Sequence, residues 1–430
     1  MSPLTPALAQ RLAAEHASAS GSLAAPAAAA AHSALEALLA AGLPTTRDEN
    51  WKYANLRPLE KARYLPAAGA GGPSAAVTAA LMPPTVPEFA RYVFVDGVLA
   101  PGLSAPLAGT TAALGLHAGT AGALVAGSAD ERFALLNAAF APQALSIGVP
   151  AAATVRLELL FIAAADAQHG ASYPRVQVEV GPGAQLALIE RHLSGAELPG
   201  FVNGAVTLAI GAGSRCTHYR LQHLNARSVY FDTLAARLAA RATYRLYGTA
   251  TGGQSARSTM TVRLEGEHAD LQLAMAALGD RQQVQDAYAV VEHCAPNART
   301  EQIFRGIAAG RARVAFNGKI VVAPGANGTD SRQSLRGLLA GPEAEIDVRP
   351  QLEIYTDDVR CSHGATAGKL DDDMLFYLLS RGLTRETAQH LLKWAFLGDV
   401  VAKIELPGLR RQIEERLVGQ LQDDTLRELL

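Results

Sequence analysis

The sequence predicts a mainly β protein, a β-solenoid flanked by α-helical regions at both ends. Two observations between residues 150 and 360 support this fold class. Short runs of alternating apolar and polar residues follow one another with almost no helical pattern between them. Six small polar turns lead into such runs, and successive turns start 27 to 43 residues apart, an irregular period typical of solenoids. The turns start at Gly183, Gly213, Arg241, His268, Arg311 and Glu343.

The strand-like runs themselves are compatible with two architectures. They include Val176–Val180, Val206–Ile210, Thr259–Leu264, Val314–Ile320 and Glu345–Val348. A β-sandwich would contain similar runs. The repeated order of turn followed by strand favours a β-helix over a sandwich.

Composition divides the chain into three predicted domains. Residues 1–86 form an N-terminal helical region and linker, residues 87–365 the β-helix core, and residues 366–430 a C-terminal helical domain. Leucines at helical spacing predict helices over residues 4–41. Residues 66–86 are rich in Ala, Gly and Pro, which is typical of a linker.

Two large aromatic residues stand out in the N-terminal region. Trp51 and Tyr53 lie in the segment Thr45–Leu56, in a chain with only 6% aromatic residues. They could line a ligand site, or they could anchor the N-terminal helices to the body of the protein. We favour the anchor, because buried aromatics contribute a large apolar contact area.

The C-terminal region is predicted to form three helices. Asp371 is a predicted N-cap, and Gly382 a predicted C-terminal glycine of the first helix. Thr384 caps a second helix that is expected to end near Gly398, and Pro407 begins a third. These helices could close the open end of the solenoid, as caps of repeat proteins do, or they could present a docking surface for a partner. Both interpretations stay open at this point.

Bulk composition excludes several classes of function. The net charge of −2 and the 18% of charged residues give no broad electrostatic footprint for nucleic acid or an anionic membrane. Three scattered cysteines do not make a disulfide framework, which indicates a reducing compartment. The N-terminus lacks the pattern of a secretory signal, and the alanine-rich run Ala24–Leu43 is too weakly apolar to span a membrane. We expect a cytoplasmic protein.

Nucleotide-binding motifs are absent from the sequence. Gly181-Pro-Gly183 and Gly211-Ala-Gly213 lack the third glycine and the helix of the dinucleotide fingerprint. Gly318-Lys319 lacks the upstream glycine and the following Ser or Thr of a P-loop. Any ATP-dependent work must therefore come from a partner.

The main candidate site is a thiol and an imidazole two residues apart, Cys361 and His363. They follow a strand-like run and precede a helix signal, so a loop position is expected. In extended backbone, residues i and i+2 face the same side and could address one ligand. Two ligands do not complete a metal site, so a packed cysteine beside a strand-capping histidine remains an alternative. Cys216 and His218 share this spacing, and we interpret them as a packed strand pair.

Three segments carry a resemblance to a known family. They are RPQLEIYTDDVRCSHGAT at residues 349–366, LFYLLSRG at residues 375–382 and TRDENWKYANL at residues 46–56. Together they resemble the SufB/SufD family of iron–sulfur cluster assembly proteins, closely over residues 293–400 and more loosely through the middle of the chain. The resemblance implies a right-handed parallel β-helix.

Within this family the chain is similar to the SufD branch. At the position where the SufB branch carries a cysteine before the last strands, this sequence has Leu335. The histidine after the last strand is present as His363, in Cys-Ser-His-Gly rather than the Glu-His-Glu of the SufB branch. The chain therefore departs from SufB at the residue on which cluster building there depends.

The resemblance implies a subunit without ATPase activity of its own. Its partners would be a SufB-like subunit and two copies of a SufC-like ATPase, and iron or an iron–sulfur cluster would be held only transiently, near His363 and Cys361. The isolated chain could also pair with a second copy through its last strands. The SufC-like subunit would dock on Leu375, Phe376, Tyr377, Arg381, Gly382, Leu392 and Phe396.

Two other functions stay open. The carboxylate pair Asp357-Asp358 could belong to a β-helix carbohydrate-active enzyme, although no ladder of acidic and aromatic residues accompanies it. Alternatively, the chain could be a purely structural scaffold, with His363 only capping a strand.

Overall fold

A computed structural model describes residues 6–421 except 22, 46, 67–80, 108, 110, 119–129, 165–169 and 196–197. Most of the predicted linker at residues 66–86 therefore lies outside the described residues. The helices are α1 Pro6–Ser20, α2 Ala25–Ala41, α3 Arg57–Lys61, α4 Arg132–Phe140, α5 Asp372–Ser380, α6 Arg385–Val401 and α7 Pro407–Leu421. In the described part of the chain, none of them is long and apolar enough to cross a membrane.

The strands make up most of the body of the protein. The first nine are β1 Leu65–Pro66, β2 Ala90–Val95, β3 Val98–Leu99, β4 Ala113–Ala118, β5 Gln143–Val149, β6 Thr154–Ala163, β7 Gly170–Ser172, β8 Arg175–Val180 and β9 Gln185–Ser194. The next six are β10 Gly200–Ile210, β11 Arg215–His223, β12 Val229–Leu238, β13 Thr243–Thr251, β14 Ser255–Leu264 and β15 Asp270–Gly279. The last six are β16 Val284–His293, β17 Arg299–Ala308, β18 Arg313–Val322, β19 Thr329–Leu339, β20 Glu345–Ile354 and β21 Val359–Gly368. Strand β21 thus continues three residues past the boundary expected at residue 365.

From β8 onward the chain alternates between two parallel sheets. The first sheet runs β20-β18-β16-β14-β12-β10-β8-β5-β4, and the second runs β21-β19-β17-β15-β13-β11-β9-β6-β2-β3. Each strand pairs in parallel with the strand two positions along the chain, which builds a solenoid of about seven turns. The predicted β-solenoid is confirmed. All five predicted strand runs lie in the first sheet, in β8, β10, β14, β18 and β20.

The interior of the solenoid is filled by side chains at alternate strand positions. Leu188 and Leu208 face each other from the two sheets, and Leu246 and Leu273 stack along the second sheet. All four are at most 1% exposed. Burying a leucine fully stabilises the fold by about 1.5–3 kcal/mol, so this repeated stacking holds successive turns together.

One corner of the solenoid explains the repeated turn. Before each strand of the second sheet from β9 to β19 stands a residue with positive φ, followed by a small residue that is buried. A left-handed residue reverses the chain, and only a small side chain fits inside the corner. The positive-φ residues are Gly183, Gly213, Arg241, His268, Asn297 and Gly328, and the small ones are Ala184, Ser214, Ala242, Ala269, Ala298 and Thr329.

The predicted repeat of a turn followed by a strand is present, but the six predicted turns belong to two different corners of the solenoid. The turns at Arg311 and Glu343 precede β18 and β20, strands of the first sheet, whereas the other four precede strands of the second sheet. The apparent gap of 43 residues arose from this change of corner. With Asn297 and Gly328 included, the strands of the second sheet start at regular intervals near 30 residues.

The N-terminal region packs on the outer face of the first sheet. The indole of Trp51 is 1% exposed, lies 5.2 Å from the ring of Phe133 and 6.2 Å from that of Phe231, and donates a hydrogen bond to Asp130 at 2.6 Å. The guanidinium of Arg257 stacks on the same indole at 4.5 Å. Trp51 therefore anchors the N-terminal segment to the solenoid, as predicted.

The predicted helix caps of the C-terminal region are confirmed. The carboxylate of Asp371 accepts hydrogen bonds from the backbone N–H groups of Asp373 and Met374, and the Thr384 hydroxyl accepts one from Thr387. Gly382 has a φ of 89°, as a C-terminal glycine requires. Helix α6 was expected to end near Gly398 but continues to Val401.

The position of the C-terminal helices differs from one expectation. Helices α6 and α7 lie along the outer face of the second sheet, where Leu397, Val400 and Ile413 pack against Tyr219 and Ile303. Helix α6 contacts β15 and β17 rather than covering the end of the solenoid. The proposed cap over the open end is therefore wrong, and within the described residues β20 and β21 are the terminal strands of the two sheets.

Candidate functional site

Cys361 and His363 lie inside strand β21 and not on a loop. Ten residues of β21 pair in register with β19, from Thr329 opposite Val359 to Leu338 opposite Gly368. The strand was not predicted because half of its ten residues are Gly, Ala or Ser, which have little strand preference. The expected loop position is corrected to the exposed edge of the second sheet.

The register of β21 sets the direction of the two side chains. Cys361 is the partner of Ser331, and His363 is the partner of Gln333. Cys361 packs against the interior cluster of the solenoid, so the side of the strand that carries both residues faces inward. Since this is the last turn, the inward face is open at one end, and His363 is exposed.

The earlier pair, Cys216 and His218, occupies the equivalent position five turns back. Following the register from β11 to β21, Cys216 aligns with Cys361 and His218 with His363. The earlier residues are 0% exposed, and burial raises the pKa of the Cys216 thiol to about 12. This confirms the interpretation of Cys216 and His218 as a packed pair. Exposure, and not spacing, distinguishes the two pairs.

The thiol of Cys361 is partly buried at the edge of the second sheet. Partial burial raises its pKa above the ordinary value, while a backbone hydrogen bond from Ser331 acts in the opposite direction. A metal ion must therefore displace a proton to bind this sulfur. Among the described residues, no group of three or more His, Cys, Asp or Glu side chains could hold a metal ion. Cys361 and His363 alone supply two ligands.

Polar residues lie directly beneath the pair, and sequence reasoning missed them. Ser331 and Gln333 are at most 4% exposed, and Gln302 lies one turn deeper at 0%. The Gln333 amide donates hydrogen bonds to the Gln302 side chain at 2.7 Å and to the Gly318 carbonyl at 2.9 Å. Both glutamines lie in strands of the second sheet, β17 and β19, where no strand run was predicted, so their inward placement could not be seen from the sequence.

A second buried polar cluster lies in the middle of the solenoid. The carboxylate of Glu190 accepts hydrogen bonds from Arg220 at 2.8 and 3.1 Å and contacts the rings of His192 at 2.6 Å and His218 at 2.9 Å. Arg220 also lies 2.7 Å from Asp232. Burial opposes ionisation of Glu190, but Arg220 and the two histidines hold its pKa well below the ordinary range. This cluster is buried and fixes the interior of the fold.

The predicted docking residues divide between surface and interior. On helix α5, Phe376 is 73% and Tyr377 56% exposed, and the Arg381 guanidinium stacks on the Tyr377 ring at 5.0 Å. Leu375 is buried, so its side chain does not belong to this surface. Gly382 is exposed, while Leu392 and Phe396 on α6 are half-buried.

Comparison with known proteins identifies the family. The family model "SUF system FeS cluster assembly, SufBD core domain" matches residues 161–396. The chain is 32% identical over 391 residues to the iron-sulfur cluster assembly protein SufD of Escherichia coli (strain K12), covering 90% of this chain and 91% of that protein. It is 29% identical over 396 residues to a SufBD family protein of Synechocystis, covering 87% and 86%.

A chloroplastic protein of Arabidopsis thaliana is 29% identical over 253 residues, which cover 58% of this chain and 53% of that protein. These findings give no support to a carbohydrate-active enzyme. The matched core includes strands β7 to β21, among them the last strand with Cys361 and His363, together with helix α5 and most of helix α6. The chain therefore belongs to the SufBD family of iron–sulfur cluster assembly proteins, with a SufD-like role.

Proposed function

We propose that this chain pairs with a SufB-like subunit and contributes His363 and Cys361 to iron acquisition at their shared interface. A separate SufC-like ATPase supplies the energy. The observation that carries the proposal is the position of Cys361 and His363 on the last strand of the solenoid, where His363 is exposed. The equivalent pair five turns earlier, Cys216 and His218, is fully buried. Iron is the cargo of this site and not a resident cofactor.

The interface follows from the open end of the solenoid. Strands β20 and β21 are terminal strands of their sheets within the described residues. Edge strands present backbone N–H and C=O groups to a further strand. A second solenoid that pairs with these edges would bring its own side chains next to His363 and complete the ligand set. In the absence of a SufB-like subunit, a second copy of this chain can use the same edges.

A direct contact links the helical surface to the last strands. Arg305 on β17 donates a hydrogen bond to Asp399 of helix α6 at 3.0 Å and another to the backbone carbonyl of Ser334 on β19 at 2.9 Å. Movement of α6 by a docked ATPase would therefore pull on the strand that pairs with β21. In this mechanism, ATP-driven movement of the ATPase subunits opens the interface and admits iron to His363.

Replacing His363 by alanine tests the proposal. Wild type and variant are co-purified anaerobically with SufB-like and SufC-like partners, and bound iron and sulfide are quantified. We expect His363→Ala to form the complex but to lose about 10-fold or more of its iron, because a metal ligand is removed while the edge backbone remains. The exposed His117 on β4 provides the matched control, and His117→Ala should load normally. Unchanged iron loading of the His363→Ala complex would indicate that this chain acts only as a structural scaffold.

The docking surface is tested separately by Phe376→Asp. A charge at this exposed aromatic should weaken binding of the SufC-like ATPase by about 10-fold or more, since truncation of a central aromatic commonly costs 2 kcal/mol or more. Affinity is measured by titration of the isolated chain with the ATPase. Leu116 on β4 is another exposed hydrophobic residue, 45% exposed, and Leu116→Asp should bind as the wild type does. Equal affinities of both variants would contradict docking on α5.

A further inference from the structure

The residue beneath His363 has an unused hydrogen-bond acceptor. Gln333 is 4% exposed, and its Oε1 atom is buried with no hydrogen-bond partner among the residues that the structure describes. The orientation of the amide is fixed, because its Nε2 atom lies 2.9 Å from the backbone carbonyl of Gly318, which can only accept. A buried acceptor left unpaired costs about 1–3 kcal/mol. A nearby N–H or O–H group that donates a hydrogen bond to this oxygen would remove that cost.

The surroundings hold this amide in place. Nε2 of Gln333 also donates to the side-chain oxygen of Gln302 at 2.7 Å. A side chain at Gly318 would bring its Cβ within 2.8 Å of the Gln302 oxygen and 2.9 Å of the Gln333 nitrogen. Since such approaches are too close, the absence of a side chain at Gly318 is what lets the two glutamines reach across the interior.

The nearest turn of the solenoid supplies a suitable donor. His363 is the register partner of Gln333, and partners in adjacent parallel strands are about 4.8 Å apart on the same face. A neutral imidazole carries one N–H donor and one acceptor nitrogen. Histidines that bind metals generally donate their other N–H to an oxygen acceptor, which fixes the tautomer and the ring orientation.

We infer that Gln333 is a positioning residue for His363: when the His363 ring turns toward the interior, the free Oε1 atom of Gln333 accepts the imidazole N–H and directs the other ring nitrogen toward iron. This inference rests on the proposed function of His363 as an iron ligand. Gln333 acts through His363 and does not itself touch the metal. The inward ladder of Gln302 and Gln333 thereby connects the rigid interior to the exposed ligand.

The experiment compares Gln333→Met, Gln333→Glu and the wild type in the full-length chain labelled with ¹⁵N-histidine. Nitrogen and proton chemical shifts report the tautomer of His363, whose signals are assigned by their loss in His363→Ala. We expect one dominant tautomer in the wild type and a mixture in Gln333→Met. Gln333→Glu should restore the wild-type tautomer, because its protonated carboxyl group keeps an acceptor oxygen for the imidazole and a donor for the Gly318 carbonyl. Gln222 is another buried glutamine with an unpaired Oε1, and Gln222→Met should leave His363 unchanged.

Iron affinity of the partner-bound complex is the second readout. Loss of this kind of supporting contact typically weakens metal binding by about 10–100-fold, and Gln333→Met should show such a loss while Gln333→Glu recovers most of it. An unchanged tautomer in Gln333→Met would overturn the inference even if iron loading depends on His363. A second outcome is a changed tautomer in Gln333→Met together with iron loading that is the same in His363→Ala and the wild type. That outcome would contradict the proposed function but support the hydrogen bond between Gln333 and His363.

Discussion

Replacing Arg220 by methionine is expected to lower the free energy of unfolding by about 3–5 kcal/mol. The guanidinium lies in the closed middle of the solenoid and pairs with two buried carboxylates, Glu190 and Asp232. Methionine fills a similar volume but leaves both negative charges without their cation. Because such charges cannot reach water, most of the desolvation cost of each is then uncompensated. Urea denaturation of the isolated chain at pH 7.5 measures the loss.

Two further variants separate ion pairing from packing. Arg263 lies 3.2 Å from Glu265 and 2.9 Å from Glu292, but its side chain is about a third exposed. Arg263→Met should therefore cost less than about 1 kcal/mol. Combining Arg220→Met with Glu190→Gln and Asp232→Asn removes all three charges and should recover much of the stability. Equal losses from Arg220→Met and Arg263→Met would contradict a stabilising role for the buried network.

The solenoid could be predicted because its corner is a local property of the sequence. A left-handed residue followed by a small one, as in Gly183-Ala184 or His268-Ala269, is visible without knowledge of distant contacts. Arg311 presents the same residue types at the opposite corner. Local sequence does not distinguish the two corners, because both need a residue that turns the chain and a small residue that fits inside the corner.

The sequence singled out Cys361 and His363 as candidates but did not predict the residues that surround them. The spacing of Cys361 and His363 says that they share a face, while the register to Ser331 and Gln333 decides what lies behind them. Register is a long-range property that depends on how many residues each preceding turn contains. For the same reason the contacts of Glu190, 30 positions from Arg220 in the sequence, were not visible before the turns were stacked.

The exposure of the site depends on where the helices pack. The sequence of α6 and α7 shows amphipathic helices but does not say which apolar surface they cover. Tyr219 and Ile303 on the outer face of the second sheet supply that surface. Because the helices lie along the side of the solenoid, they leave the edge that carries His363 uncovered within the described part of the chain.

Acidification from pH 7.5 to pH 5 is expected to destabilise the isolated chain by roughly 3–4 kcal/mol through two buried histidines. Burial lowers the pKa of His223 to about 3, with Arg416 and Arg191 adding to the effect, and burial lowers that of His293 to about 4. In the unfolded chain both titrate near 6.5. Between these values the unfolded state binds more protons than the folded state, so stability falls as the pH drops below about 6.5.

The histidines can be separated from the carboxylates that also titrate in acid. His223 accepts or donates a hydrogen bond with Thr249 at 3.0 Å, and His293 does so with Thr300 at 2.9 Å. Glutamine can keep these contacts without titrating, so the double variant His223→Gln/His293→Gln should lose roughly 3–4 kcal/mol of the pH dependence between pH 7.5 and 5. His16 and His218, whose pKa values burial also lowers, keep their own contribution. The matched substitution His117→Gln, at an exposed site, should leave the profile unchanged. Parallel pH profiles for the double variant and the wild type would show that these imidazoles are not the groups responsible. The pKa of Glu190 is held well below its ordinary value of 4.5, so its stabilising contribution begins to be lost only below about pH 4.5, outside the interval from pH 7.5 to 5.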